Sequence, residues 1–156
     1  MLKRCKEHGN SKVLIADDDQ TTRMVLSAIL ESQGYQVDIA ERGEKCLFLA
    51  LEKTYDAVLI DMNMPGIGGI ELCKRLRELS RYKMVPIIFI TSMDEESSLA
   101  EAFSVGASDF INKPVNATVL AARLKNHLEK QKYYDELERV RRYLNRYISL
   151  RTQRMV

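Results

Sequence analysis

Short apolar runs alternate along the chain with longer stretches in which apolar residues recur every three or four positions. Residues 13–16, 35–40, 56–61, 86–91 and 108–112 have the length and character of strands. Between them lie helical patterns. Residues 21–32 carry Met24, Val25, Ala28 and Ile29 at helical spacing, and Gly34 closes them. Residues 44–52 place Leu47, Ala50 and Leu51 on one side, and residues 70–79 turn Leu72, Leu76 and Leu79 inward. A helix over 94–105 has Asp94 as its N-cap and Gly106 as its stop. Proline and glycine mark 64–69 as a loop. Five strands alternating with five helices, most of the strands nearly continuous in apolar character, predict an open α/β class fold. Its parallel sheet is covered on both faces and joined by right-handed crossovers.

In such sheets ligands bind beyond the carboxyl ends of the strands, where the strand order reverses. Three carboxylates, Asp17, Asp18 and Asp19, follow the first strand, and the third strand ends on Asp61. An acidic run alone reads as a solvated loop. Two strands of the same kind that both stop on carboxylates are harder to explain that way. Carboxylates brought close repel one another and need a cation. Asp19 also fits the role of N-cap for the helix that follows. Oxygen donors suit a hard divalent ion, Mg²⁺ or Mn²⁺. Neither His8 nor His127 lies near this acidic set in sequence, and both read as structural or solvent-facing. Thr91 and Ser92 end the fourth strand with hydroxyls that could bond a phosphoryl oxygen or merely local backbone. Lys113 follows the fifth strand and is held extended by Pro114. Its ammonium could meet a carboxylate or a phosphoryl oxygen, although a loop lysine usually faces solvent.

Taken together, Ile15-Ala16-Asp17-Asp18-Asp19, Leu59-Ile60-Asp61-Met62-Asn63-Met64-Pro65-Gly66, Ile90-Thr91-Ser92 and Gly106-Ala107-Ser108-Asp109-Phe110-Ile111-Asn112-Lys113-Pro114 resemble, in order and spacing, the receiver domain of two-component response regulators. The resemblance covers roughly residues 12–130. It implies a flavodoxin-like open five-stranded parallel sheet of order 2-1-3-4-5. It also implies an Asp61 phosphoacceptor fed by a sensor histidine kinase or phosphotransfer protein. Asp17, Asp18 and Asp61, with the backbone carbonyl of Asn63, would form the metal shell. Thr91 would be the switch hydroxyl, Lys113 the contact to the phosphoryl group, and Lys113–Pro114 a cis bond. Phe110 stands where the family often has tyrosine, so the rotating ring is kept and its hydroxyl is lost. On this reading the chain is not an enzyme beyond its own phosphorylation and dephosphorylation. The alternatives are a metal-dependent phosphatase with an aspartate nucleophile, or a dimerisation module with a vestigial site. The first is disfavoured because Asp61 is followed by Met62-Asn63 and no segment could form a cap.

Three scattered cysteines, Cys5, Cys46 and Cys73, suggest packing in a reducing compartment. No run is long enough for a membrane span and the start is not a secretory signal, so a cytoplasmic location is expected. Residues 123–156 hold ten basic and four acidic side chains, a net of +6 that leaves −4 on the remainder. A solvated helix face explains that basic tail better than nucleic-acid binding. After Pro114 there is neither glycine nor proline, so one helix could run from about 117 to about 149. Leu120, Leu124 and Leu128 would pack on the sheet. Tyr133, Leu137, Val140, Leu144 and Tyr147 follow at spacings of 4, 3, 4 and 3, a short coiled-coil seam. The expected organisation is a polar tail over 1–11, a receiver over 12–131, and a helical extension over 132–156. That extension is expected to support a parallel homodimer and to link to an output domain not present in this chain.

Overall fold

The computed structural model describes residues 11–92 and 96–155. Asp94, the expected cap, lies outside them, as do Cys5 and His8. The elements are β1 (Lys12–Ala16), α1 (Gln20–Ser32), β2 (Gln36–Ala40), α2 (Gly43–Glu52), β3 (Ala57–Asp61), α3 (Gly69–Glu78), a 3₁₀ turn (Ser80–Tyr82), β4 (Ile87–Thr91), α4 (Glu96–Ser104), β5 (Asp109–Asn112) and α5 (Ala117–Arg154). The strands pair in parallel, in the order β2-β1-β3-β4-β5.

Alternate residues of each strand serve opposite faces of the sheet. Leu14, Val58, Ile60, Ile87 and Phe89 pack with Cys46 and Ala50 of α2, Leu72 and Leu76 of α3, and Ala102 of α4. Val13, Ile15, Leu59, Ile88 and Ile90 pack with Leu26 and Leu30 of α1 and with Leu120 and Leu124 of α5. Each fully buried leucine stabilises the fold by roughly 2 kcal/mol. Cys46 and Cys73 are buried and unpaired.

Two helix faces differ from the pattern-based expectation. In α1 the buried residues are Leu26 and Leu30, with Ile29 partly covered, whereas Met24 and Val25 are exposed. Both sets satisfy helical spacing, and the sheet selected the one with two leucines. In α2, Leu51 faces outward and Cys46 with Ala50 faces the sheet, where small side chains let the helix approach closely. α5 also runs further than expected, to Arg154, with Arg151 and Arg154 in its last turn where cations oppose the helix dipole.

Arg77 fastens the edge near β4 and β5. Its guanidinium donates to the carbonyls of Tyr82, Val85 and Gly106, at 2.6–2.9 Å, and to Ser108 Oγ at 3.2 Å. Burial lowers its pKa. Gly106, at φ +108°, adopts a left-handed conformation that favours glycine.

Candidate functional site

β1 and β3 are neighbours with Ala16 beside Ile60, so the residues that end them, Asp17 and Asp61, emerge side by side. Both are almost fully buried. Asp18 is exposed at the rim. One oxygen from each of the three carboxylates lies within 4.8 Å of the others. β4 and β5 pair Thr91 with Asn112, and the next peptide N–H, that of Lys113, donates to the Thr91 carbonyl at 2.7 Å. This register brings the lysine to the acidic corner. Its Nζ donates to Asp61 Oδ1 at 3.1 Å and lies 4.0 Å from Asp17 Oδ2. The Lys113–Pro114 bond is cis. Thr91 is buried and donates through Oγ1 to Asn112 Oδ1 at 3.2 Å.

Burial, reinforced by the charge of Asp17 and opposed by Lys113, pushes the Asp61 carboxyl up to about 6. Burial also raises Asp17, against the Asp19 N–H donated at 2.8 Å and against Lys113. Asp17 Oδ2 is buried and accepts no hydrogen bond. Three carboxylates facing one ammonium leave negative charge uncompensated. A buried orphan oxygen in an all-oxygen corner of this kind fits a hard divalent cation. Asp19, by contrast, caps α1. Its carboxylate accepts from Thr22 N at 3.2 Å and from Thr22 Oγ1 at 2.6 Å, which lowers its pKa.

Asn63 is exposed two residues beyond Asp61, in the loop that leads to α3. That loop returns close to β3, since Gly69 N donates to the Met62 carbonyl at 3.2 Å. A β-carbon on Gly69 would fall 2.6 Å from the Asp61 carbonyl oxygen. Sequence reasoning read Gly68-Gly69 only as loop punctuation and missed this contact beside the site.

A second set joins β5 to α5, and in it His127 is structural, one of the two roles its sequence position suggests. Asp109 Oδ2 meets His127 Nε2 at 3.0 Å, and its Oδ1 accepts from Arg123 Nη1 at 3.4 Å and from the Phe110 N–H at 2.8 Å. Arg123 also donates to the Phe110 carbonyl. The Phe110 ring meets Phe103 edge-on at 6.2 Å between centroids. His127 is thus a partly buried tie between α5 and the first residue of β5, at the end of that strand opposite Lys113.

The chain belongs to the response regulator receiver domain family, whose model matches residues 13–125. It is 37% identical over 122 residues to the transcriptional regulatory protein ResD of Bacillus subtilis strain 168, covering 78% of this chain and 50% of ResD. The chain therefore spans about half the length of the curated relatives it matches. Among solved structures it resembles the chemotaxis protein CheY4 of Vibrio cholerae, with a TM-score of 0.71 and 34% identity over 74% of this chain and 97% of CheY4. It also resembles the receiver domain of the sensor histidine kinase PA1611 of Pseudomonas aeruginosa PAO1, which holds a magnesium ion in its active site cleft. That match has a TM-score of 0.72 and 25% identity over 77% of this chain and 98% of the other. The flavodoxin-like receiver fold and the two-component class follow from these matches. Among the described residues no helix is long and apolar enough to cross a membrane.

Proposed function

We propose that this chain is a phosphorylation-controlled switch in which Asp61 accepts a phosphoryl group from the phosphohistidine of a kinase or phosphotransfer protein. The carrying observation is that Asp61, nearly buried at the end of β3, is held by Lys113 at 3.1 Å and crowded by Asp17 and Asp18. An Asp61 carboxylate oxygen attacks phosphorus, forming a P–O bond as the P–N bond breaks. The leaving histidine nitrogen keeps the electron pair. The product carries more negative charge and three acceptor oxygens, which the Lys113 ammonium partly neutralises. Mg²⁺ or Mn²⁺, bound by Asp17, Asp18, Asp61 and the Asn63 backbone carbonyl, would supply positive charge to the phosphoryl oxygens. The magnesium in the PA1611 receiver supports that choice of ion.

Thr91 and Phe110 form the switch. Thr91 Oγ1 leaves Asn112 to bond a phosphoryl oxygen, and the Phe110 ring moves into the space released. Its new position bears on α5 through Arg123 and Asp109. The finer organisation follows the expected division, with the receiver ending near residue 131. The remainder of α5 brings a second copy together and leads to an output domain.

A labelled small phosphodonor with Mg²⁺ tests the reading. Stable label on the unmodified chain and none on Asp61→Asn supports it. Turnover of free phosphodonor without stable label favours a phosphatase, and absence of both favours a vestigial site. Either overturns the switch.

A further inference from the structure

We propose that the cleft between the entry to β4 and residues 127–134 of α5 binds a small organic anion, one phosphate or carboxylate group on a flat apolar body. The site lies at the end of the strands opposite the acidic corner and does not depend on the phosphoacceptor reading.

The cleft measures about 260 Å³. That is just below the roughly 300–1,000 Å³ of drug-sized sites, so its occupant is small. The chain path explains its position. Pro86 and Ser108 directly precede β4 and β5. α5 passes beside them and then leaves the domain, since after Gln131 nearly every residue is exposed. Met84 and Pro86 from one element and Tyr134 from the other give the cleft its apolar surface. Met84 and Tyr134 are 56% and 49% exposed, so two large side chains converge on the cleft without being covered by the fold.

The polar lining donates hydrogen bonds and carries positive charge. Ser108 Oγ accepts from Ile87 N at 3.0 Å and from Arg77 Nη2 at 3.2 Å, which leaves its hydroxyl proton to donate. The second of those bonds also places the Arg77 guanidinium directly behind it. His127 directs Nε2 to Asp109 at 3.0 Å and has Nδ1 as its second polar atom. Lys130 lines the same cleft. It forms no ion pair among the described residues, whereas Lys125 lies 4.0 Å from Glu129. Among the described residues no aspartate or glutamate lines the cleft. Asp135 is bonded by Gln131 at 3.2 Å, and Asp109 is shared by Arg123 and His127. An ammonium and a hydroxyl donor in a cleft without acid suit an anionic head, because a charge-assisted hydrogen bond is stronger than a neutral one. The tyrosine ring suits a flat body by offset stacking. A bare anion would leave Met84 and Tyr134 uncovered, and a neutral apolar molecule would leave Lys130 unmatched.

Phenyl phosphate is the probe, and the ring signals of His127 in proton NMR are the readout. The chain has two histidines, so loss of one set of signals in His8→Gln assigns the other. The titration is run in chelator. Saturable movement of the His127 signals is expected, in Asp61→Asn as in the unmodified chain, which separates this site from the phosphoacceptor. Lys130 and Tyr134 are exposed, so variants at both keep the fold. Lys130→Glu is expected to weaken binding about tenfold, the loss of one bond to a charged group. Tyr134→Ala is expected to weaken phenyl phosphate roughly fivefold and to leave inorganic phosphate unchanged. Inorganic phosphate and benzyl alcohol, each lacking one half of the ligand, are expected to bind more weakly than phenyl phosphate. Absence of movement overturns the proposal, as does movement that Lys130→Glu or Tyr134→Ala leaves undiminished. Equal binding of inorganic phosphate or of benzyl alcohol also overturns it. So does loss of binding in Asp61→Asn, which would place the probe in the acidic corner.

Discussion

The guanidinium of Arg123 lies over the ring of Phe110, its Cζ 5.7 Å from the ring centroid. The same group bonds the Phe110 carbonyl and the Asp109 carboxylate. One α5 side chain thus grips both the ring and the backbone of the residue proposed to switch. The ring cannot turn away without giving up the cation–π contact, while the backbone contacts persist. A cation–π contact of this exposure is worth about 0.5–1 kcal/mol. A double-mutant cycle with Arg123→Met and Phe110→Leu, read by urea unfolding, is expected to show coupling of that size. Strictly additive losses would remove the grip from the account.

Gly69 and Gly68 offer a matched pair. A β-carbon at Gly69 would collide with the Asp61 carbonyl oxygen, whereas one at Gly68 meets nothing within 4 Å. Gly69→Ala is expected to cost about 1–3 kcal/mol and to slow labelling of Asp61, because the collision displaces the end of β3. Gly68→Ala is expected to lie within about 1 kcal/mol of the unmodified chain. Thermal unfolding and label kinetics on both variants check this. Equal behaviour of the two would contradict the close approach.

Asp61 sets a pH dependence. Its carboxyl rises from 3.8 to about 6 in the folded chain, so folding favours the protonated form. The contribution to stability is full below the unfolded value of 3.8 and is lost as pH rises to about 6, staying flat above. The loss is up to about 3 kcal/mol. In chelator near pH 7.5, Asp61→Asn is therefore expected to unfold at a higher temperature than the unmodified chain. The gap closes near pH 4 and narrows when Mg²⁺ is added. An Asn variant no more stable at neutral pH would refute the electrostatic crowding.

Arg77 is expected to be costly to replace. Arg77→Met removes the donor to three carbonyls and a hydroxyl around the β4 and β5 entries. The carbonyls it leaves without that donor would cost roughly 2–4 kcal/mol in urea unfolding. A loss below about 0.5 kcal/mol, the range of an ordinary surface change, would show that water replaces the guanidinium.

The acidic corner was legible because strand runs end abruptly on charge. Asp17 and Asp61 terminate apolar runs, and parallel pairing of β1 with β3 makes them neighbours. The strand order came from the family resemblance alone, and the place of Lys113 from the resemblance as much as from its position after the fifth strand. What was not legible depended on tertiary choice. Met24 and Val25 fit helical spacing as well as Leu26 and Leu30 do, and only packing on the sheet distinguished them. The close approach of Gly69 carries no local signal beyond a glycine pair. Arg123 and His127 lie 14 and 18 residues after Asp109, and nothing in that spacing announces that β5 and α5 will bring them together.

The central claim is that Asp61 takes the phosphoryl group in a corner built from Asp17, Asp18 and Lys113. Intact-mass measurement after incubation with a small phosphodonor, with Mg²⁺ and with chelator, tests it most directly. The account predicts one added phosphoryl group in Mg²⁺, little in chelator, none on Asp61→Asn, and severely slowed addition on Lys113→Ala. Undiminished addition on Asp61→Asn would contradict it.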